Sequence, residues 1–239
     1  VDTIQKTCRI LARMGYSTLL LYLEDMFVVE GEPYFGHMRG RFSASELREC
    51  DAYARSLGIE LVPGVQTLAH LNGIFRWERY RSIQDCTDIL LADDPATYAF
   101  LDAMLSTLSS IFSSRRINIG MDEAHLLGAG RYLQRNGYHE RTQIMLRHLE
   151  RVVELCRKYG LKPAMWSDMF FRMQSEDHLY YVLDAQITPE IADMLPRDVE
   201  LVYWDYYHFD EKSYDDMIYN HMQISKDIWF AGGIWSWSG

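Results

Sequence analysis

Six short apolar runs alternate with helical patterns along the whole chain, and this alternation constrains the fold more than any other feature. Strand-like runs start near residues 18, 59, 117, 162, 200 and 228. Helical periodicity is expected over Asp2–Met14, Ala44–Leu57, a segment opening at Pro95, about Glu140–Tyr159, and Asp210–Met222. Ser43 and Glu46 form a capping box before the second helix, and Asp94-Pro95 supplies a cap and a first-turn proline to the third. Gly15, Gly58 and Gly160 stop three of the helices. Leu71–Asp94 and Leu126–Tyr138 show no clear period and read as connections, Phe170–Ile187 is ambiguous, and Thr188-Pro189 is expected to open a short helix. Strands separated by helical crossovers make a parallel sheet. A complete eight-stranded α/β barrel takes about 250 residues, and this chain has 239 and six expected strands. It opens on a helical pattern and stops after a strand. The expectation is therefore an α/β fold: a (β/α)8 TIM barrel, with the first and last strands missing from this stretch. Residues 1–239 then form one catalytic barrel domain, incomplete at both ends. A doubly wound open sheet is the alternative, although no glycine-rich phosphate loop accompanies these strands.

The strand ends carry the chemistry. The runs are LLLYLED (Leu19–Asp25), LVPGVQTLAH (Leu61–His70), INIGMDEAH (Ile117–His125), PAMWSDMF (Pro163–Phe170), LVYWDYYHF (Leu201–Phe209) and FAGGIWSWSG (Phe230–Gly239). A parallel barrel gathers the C-terminal ends of its strands at one mouth. An isolated Asp-Glu pair on an acidic chain is most often a solvated loop charge. Asp122 and Glu123 stand out because the other strand ends bring acids, histidine and aromatics to the same place. The formal net charge of -10 argues against a nucleic-acid partner, which needs a basic face. No apolar run approaches the ~18 residues of a membrane span. Cys8, Cys50, Cys86 and Cys156 have no C-x-x-C spacing, so free thiols in a reducing, cytoplasmic setting are expected.

Two carboxylates in an aromatic cleft suggest glycoside hydrolysis. Sugar rings stack on Trp and Tyr, and a carboxylic acid protonates the leaving oxygen. An adjacent carboxylate and a dry wall would raise the affinity of Glu123 for its proton. Side chains of neighbouring strand residues point to opposite faces. On that reasoning Asp122 and Glu123 do not flank one bond as nucleophile and acid. The nucleophile is then Asp25, Asp168 or Asp205, or a 2-acetamido group of the substrate attacking internally. Two rivals remain: a metal-dependent barrel using His70, Asp122, Glu123, Asp168 and His208, and a non-catalytic sugar-binding barrel.

INIGMDEAH resembles the signature of glycoside hydrolase family 20, the β-N-acetylhexosaminidases, in which Gly-x-Asp-Glu closes strand four of the barrel. LYLEDMF, GEPYFGHMRGRF, IELVPGVQTLAHL, AMWSDMFF and LVYWDYY resemble the branch containing hexosaminidase D and related bacterial exo-enzymes. The resemblance implies exo-hydrolysis of terminal β-linked GlcNAc or GalNAc with retention, assisted by the substrate. Glu123 matches the general acid/base. Asp122 matches the residue that orients the acetamide nitrogen and stabilises the oxazolinium intermediate. Trp166, Trp204 and Trp235 or Trp237 would wall the pocket. Tyr206, with Tyr207 as the fallback, would hydrogen-bond the acetamide oxygen. His70 is expected in a supporting role and Asp168 on a sugar hydroxyl, while Glu24 and Asp25 are weaker candidates. Relatives usually carry an Arg on the first strand, which this stretch lacks. No metal or cofactor is implied. The expected partner is a carbohydrate ending in β-linked N-acetylhexosamine, with no nucleic acid and no membrane, and a homodimer follows family habit.

Overall fold

A computed structural model describes residues 1–172, 193 and 195–234. In chain order the elements are α1 (Asp2–Arg13), β1 (Thr18–Tyr22), α2 (Ala44–Ser56), β2 (Glu60–Gly64), α3 (Asn72–Phe75), a 3-10 segment (Glu78–Ile83), β3 (Gln84–Cys86), β4 (Ile89–Leu90), α4 (Pro95–Ile111), β5 (Arg116–Asn118), α5 (Arg131–Asn136), α6 (Arg141–Lys158), β6 (Lys162–Trp166), α7 (Asp168–Arg172), β7 (Glu200–Trp204), then α8 (Glu211–Ile224) and β8 (Ile228–Ala231). The central sheet runs β1-β2-β5-β6-β7-β8, and every neighbouring pair is parallel. Strand order follows chain order without reversal. A doubly wound sheet reverses at a switch point, so the sheet is that of a partial (β/α) barrel.

The two faces of the sheet differ as barrel geometry requires. The outer face joins the helices in one core that includes Leu61, Ile117, Met165, Leu201, Leu149 and Val152, all buried. The inner face carries a smaller cluster of Ala164, Trp166 and Val202, flanked by Leu20, Trp204, Trp229 and Ala231. Register explains this division: Leu20 pairs with Val62, and Trp166 with Val202, so alternate residues of each strand share the interior. At the N-terminal ends of the strands, Arg116 Nη1 lies 3.2 Å from Glu60 Oε2 and its guanidinium stands 4.9 Å from the Trp229 ring centroid. The other end of the strands is left for the site.

Local signals set the helices as the sequence implies. Ser43 Oγ accepts from Glu46 N–H, and Ser43 N–H donates to Glu46 Oε2 at 2.8 Å, completing the capping box. Asp94 Oδ1 accepts from Ala96 N–H at 2.9 Å, with Pro95 in the first turn. Cys8, Cys50 and Cys156 are buried free thiols, and Cys86 is half-buried and also free. Among the described residues no helix is long and apolar enough to cross a membrane.

Three segments depart from the sequence expectation. Leu71–Asp94 is not a featureless connection: it contains α3, the 3-10 segment and the antiparallel β3–β4 pair. Leu126–Tyr138 contains α5. β5 ends at Asn118, short of the expected Met121, because the chain then turns into left-handed backbone. Most of Phe170–Ile187, the helix expected at Thr188, and Trp235 and Trp237 lie outside the described residues.

Candidate active site

The site is built on a left-handed turn at the end of β5. Gly120, Met121 and Glu123 have φ of 73, 70 and 52 degrees, a region that non-glycine residues enter at a cost. Gly120 is also sterically required. A Cβ there would overlap Gln66 Oε1 and come within 2.7 Å of Val65 O. Both neighbouring strands clamp the turn: Ile119 N–H donates to Ala164 O, Trp166 N–H to Gly120 O, and Thr67 N–H to Ile119 O.

This turn overrides strand alternation. Asp122 and Glu123 do not point to opposite faces; Asp122 Oδ2 and Glu123 Oε2 each lie 3.2 Å from His70 Nε2. His70 sits beyond β2, itself at a φ of 56 degrees. Its backbone N–H donates to Asp88 Oδ2 at 3.1 Å, so the β3–β4 link, invisible to periodicity, positions it. Burial alone would lower the His70 pKa. The hydrogen bonds and charges of Asp122 and Glu123 more than offset this and raise it to about 10. An imidazolium therefore stands between the two carboxylates at neutral pH.

The remaining candidates take different places. Asp168 is fully buried at the start of α7. Its Oδ2 accepts from Glu123 N–H at 3.1 Å and its Oδ1 from the Trp204 indole N–H at 3.3 Å. Burial, with the charge of Asp122, pushes its pKa up. It thus ties the Glu123 backbone to the aromatic wall. Trp204 stacks on Tyr206 with centroids 5.7 Å apart, and the Tyr206 phenol is pushed up to about 12 by burial and by Asp122. Trp166 is buried in the inner cluster beside Trp204. Tyr207 is exposed, and its backbone N–H donates to Asp205. Glu24 pairs with Arg39 at 2.9 Å.

The accessibility of the acids separates them. The side chains of Asp122 and Glu123 are 15% and 25% exposed. Asp25 and Asp205, two alternative nucleophiles, are 5% and 4% exposed, and the third, Asp168, is fully buried. Asp205 accepts from the Tyr203 hydroxyl, the Tyr207 and His208 N–H groups and the His208 imidazole. Burial would raise its pKa, but these hydrogen bonds together bring it below the usual carboxylate value. His208 is thus committed to Asp205. Of the five residues of the metal-dependent alternative, His70, Asp122 and Glu123 bring one donor atom each within 4.8 Å of one another.

Gln66 and its partner Tyr22 escaped the sequence reading. Gln66 is fully buried; its Nε2 donates to Asp122 Oδ1 at 2.8 Å and to the Tyr22 hydroxyl at 2.9 Å. Its Oε1 accepts from Met121 N–H at 3.4 Å. The available signal was a lone amide closing the otherwise apolar run LVPGVQ, with Tyr22 ending the neighbouring strand.

Residues 25–226 match the family model of the glycosyl hydrolase family 20 catalytic domain. Hexosaminidase D of Homo sapiens is 28% identical over 205 residues, covering 81% of this chain and 39% of that protein. Hexosaminidase D of Bos taurus is 28% identical over 208 residues, covering 81% of this chain and 55% of that protein. The chain therefore spans less than two thirds of either relative. The GH20 β-N-acetylhexosaminidase of Streptomyces coelicolor A3(2) superposes with a TM-score of 0.68 at 17% identity, over 96% of this chain and 44% of that one. The GH20 exo β-N-acetylglucosaminidase of Vibrio harveyi, in complex with N-acetylglucosamine, gives 0.72 at 14%, over 96% and 38%. These structural likenesses show the shared fold. With the family match spanning residues 25–226, the chain belongs to glycosyl hydrolase family 20.

Proposed function

We propose that this chain is the catalytic barrel of an exo-acting β-N-acetylhexosaminidase that removes terminal β-linked GlcNAc or GalNAc with retention of configuration. In this reading the eight-stranded barrel is completed by one strand on either side of the six seen here. The observation that carries the mechanism is the convergence of Asp122 and Glu123 on one point at the barrel mouth, while Asp25, Asp168 and Asp205 are buried. No third acid is presented as a nucleophile among these candidates. The substrate's own 2-acetamido oxygen fills that role.

The first step forms a bond from the acetamide oxygen to C1 and breaks the bond from C1 to the leaving oxygen. Glu123 gives its proton to that oxygen. Asp122 accepts a hydrogen bond from the acetamide N–H, which grows more acidic as the oxazolinium ring closes. In the second step Glu123 takes a proton from water, the water oxygen bonds to C1, and the ring bond breaks. Intramolecular attack removes much of the entropic barrier, on the order of 7 kcal/mol when well aligned. With Glu123 protonated for the first step, His70 is left to balance the charge of Asp122. Asp168 orients Glu123 through its backbone. Trp166, Trp204 and Tyr206 offer aromatic surface to the sugar.

Hydrolysis of 4-nitrophenyl β-GlcNAc and β-GalNAc, but not the β-glucoside, with inhibition by a thiazoline mimic of the cyclised intermediate, is the expected result. Equal cleavage of the glucoside overturns substrate assistance. Tight thiazoline binding without turnover points instead to a sugar-binding barrel. The donor cluster of His70, Asp122 and Glu123 favours one second reading, a metal-dependent hydrolase. Loss of activity to a chelator, restored by a divalent ion, would support it.

A further inference from the structure

We infer that Gln66 is a positioning residue for the reaction: its amide fixes Asp122 Oδ1 as an acceptor, so that Oδ2 alone meets the substrate amide. The inference rests on the role proposed above for Asp122. Two neighbours dictate the orientation of the amide. Met121 N–H is a donor and needs Oε1; a flipped amide would set donor against donor there. The same flip would set Oε1 against the Asp122 carboxylate. Nε2 therefore faces Asp122 Oδ1 at 2.8 Å and the Tyr22 hydroxyl at 2.9 Å. A Cβ at position 120 would overlap this amide, so the glycine leaves Gln66 the space it occupies.

A carboxamide in this place has one property that a carboxylic acid lacks. It donates at every pH and never takes a proton from its partner. The titratable and charged groups around it are Tyr22 from β1 and Asp122 from the turn after β5. Behind Asp122 stand His70 and Glu123, and Asp168 feels the charge of Asp122 from α7. In this crowd of acids, the neutral donor keeps Asp122 Oδ1 occupied without competing for the proton that moves during catalysis. Because the same amide also accepts from Met121 N–H, it couples the strained turn to the carboxylate that the turn carries.

Gln66→Glu tests this directly. Protonated, the new acid imitates the amide donor; once ionised, it opposes Asp122 across a hydrogen-bond distance. Its kcat on 4-nitrophenyl β-GlcNAc is expected to approach wild type at acid pH. It should then fall by about tenfold per pH unit above a new midpoint, the slope of one lost proton. Wild type shows only the alkaline limb set by Glu123 itself, without this additional midpoint. Gln66→Leu removes the donor without adding a charge and is expected to lose about 100-fold in kcat at all pH values, the scale of a small misplacement. In an Asp122→Asn background Gln66→Leu should cost little more, because the two residues act as a unit. A Gln66→Glu profile parallel to wild type, or full additivity of Gln66→Leu with Asp122→Asn, overturns the inference. If Gln66→Glu does not fold, the Leu cycle decides alone. Wild type that cleaves the β-glucoside equally well overturns the substrate-assisted reading instead, and this role for Gln66 with it.

Discussion

Substituting Gly120 by alanine tests whether the site depends on the turn rather than on strand β5. Two costs are expected. The first is the left-handed backbone, at φ 73 degrees, which costs an alanine about 1 kcal/mol. The second is steric: the new Cβ overlaps Gln66 Oε1 and lies 2.7 Å from Val65 O, a backbone atom with little freedom to give way. Overpacking of this kind adds about 2 kcal/mol. Gly160, which stops α6, is the internal control. It has φ 64 degrees, and nothing lies within 4 Å of its added Cβ. Gly160→Ala therefore isolates the backbone cost. For a domain of this size each kcal/mol moves the melting temperature by about 2–4 °C. Thermal unfolding followed by circular dichroism should show losses of about 2–4 °C for Gly160→Ala and roughly 6–12 °C for Gly120→Ala. Turnover separates the variants further: Gly160→Ala keeps it, and Gly120→Ala loses about 100-fold as the turn shifts Asp122 and Glu123. Equal melting shifts with normal turnover in both would refute the claim that Gly120 and Gln66 together hold the turn.

Glu123→Gln should abolish cleavage of natural disaccharides, whose leaving groups need a proton, while sparing substrates with activated leaving groups; near-normal turnover of a disaccharide would sink the assignment. His70 has an unfolded pKa of about 6.5 and a folded value of about 10. Its ion pairs therefore stabilise fully below about pH 6.5 and fade as pH rises through 10. The melting difference between wild type and His70→Gln should shrink over that window, and a gap that is constant with pH counts against the imidazolium. Asp168→Asn can accept from only one of the Glu123 and Trp204 donors through Oδ1, which costs about 1–3 kcal/mol and should appear as reduced kcat with little change in KM. Ser43→Ala removes a cap remote from the site and should cost about 1 kcal/mol, seen as a lower melting temperature at unchanged activity.

The fold was legible where short-range signals agree. Asp94-Pro95 and Ser43–Glu46 marked helix starts that the structure matches to the residue. β6 and β7 were readable because each is a compact apolar run ending in Trp. The β3–β4 pair was not legible. Its strands have three and two residues, too few for any period to show, and polar Gln84 and Asp85 make up most of the first. That hairpin has consequences for the site, since Asp88 beside it holds the backbone of His70. Asp85, within it, holds the N–H of Gly128 in the loop beyond Glu123 and that of Tyr132 in the first turn of α5.

The meeting of His70, Asp122 and Glu123 at the strand ends was legible but its geometry was misread, and the reason is local. Alternation of faces holds only while φ and ψ stay in the β region. Nothing in Ile-Asn-Ile-Gly-Met-Asp-Glu other than Gly120 signals that the extended chain ends at Asn118. Once Gly120 and Met121 adopt left-handed backbone, adjacent residues no longer diverge, and His70 can reach Asp122 and Glu123 together. The sequence argument that adjacent acids cannot flank one bond therefore loses its premise. The exclusion of a paired nucleophile must rest on other grounds. The structure supplies two: both carboxylates lie against the same imidazole, and one of them is already tied through Oδ1 to a buried amide. A nucleophilic carboxylate has to present an oxygen to C1 and then bear a covalent sugar. An Asp122 held by Gln66 and His70 is better suited to accepting an amide hydrogen than to leaving its partners for carbon.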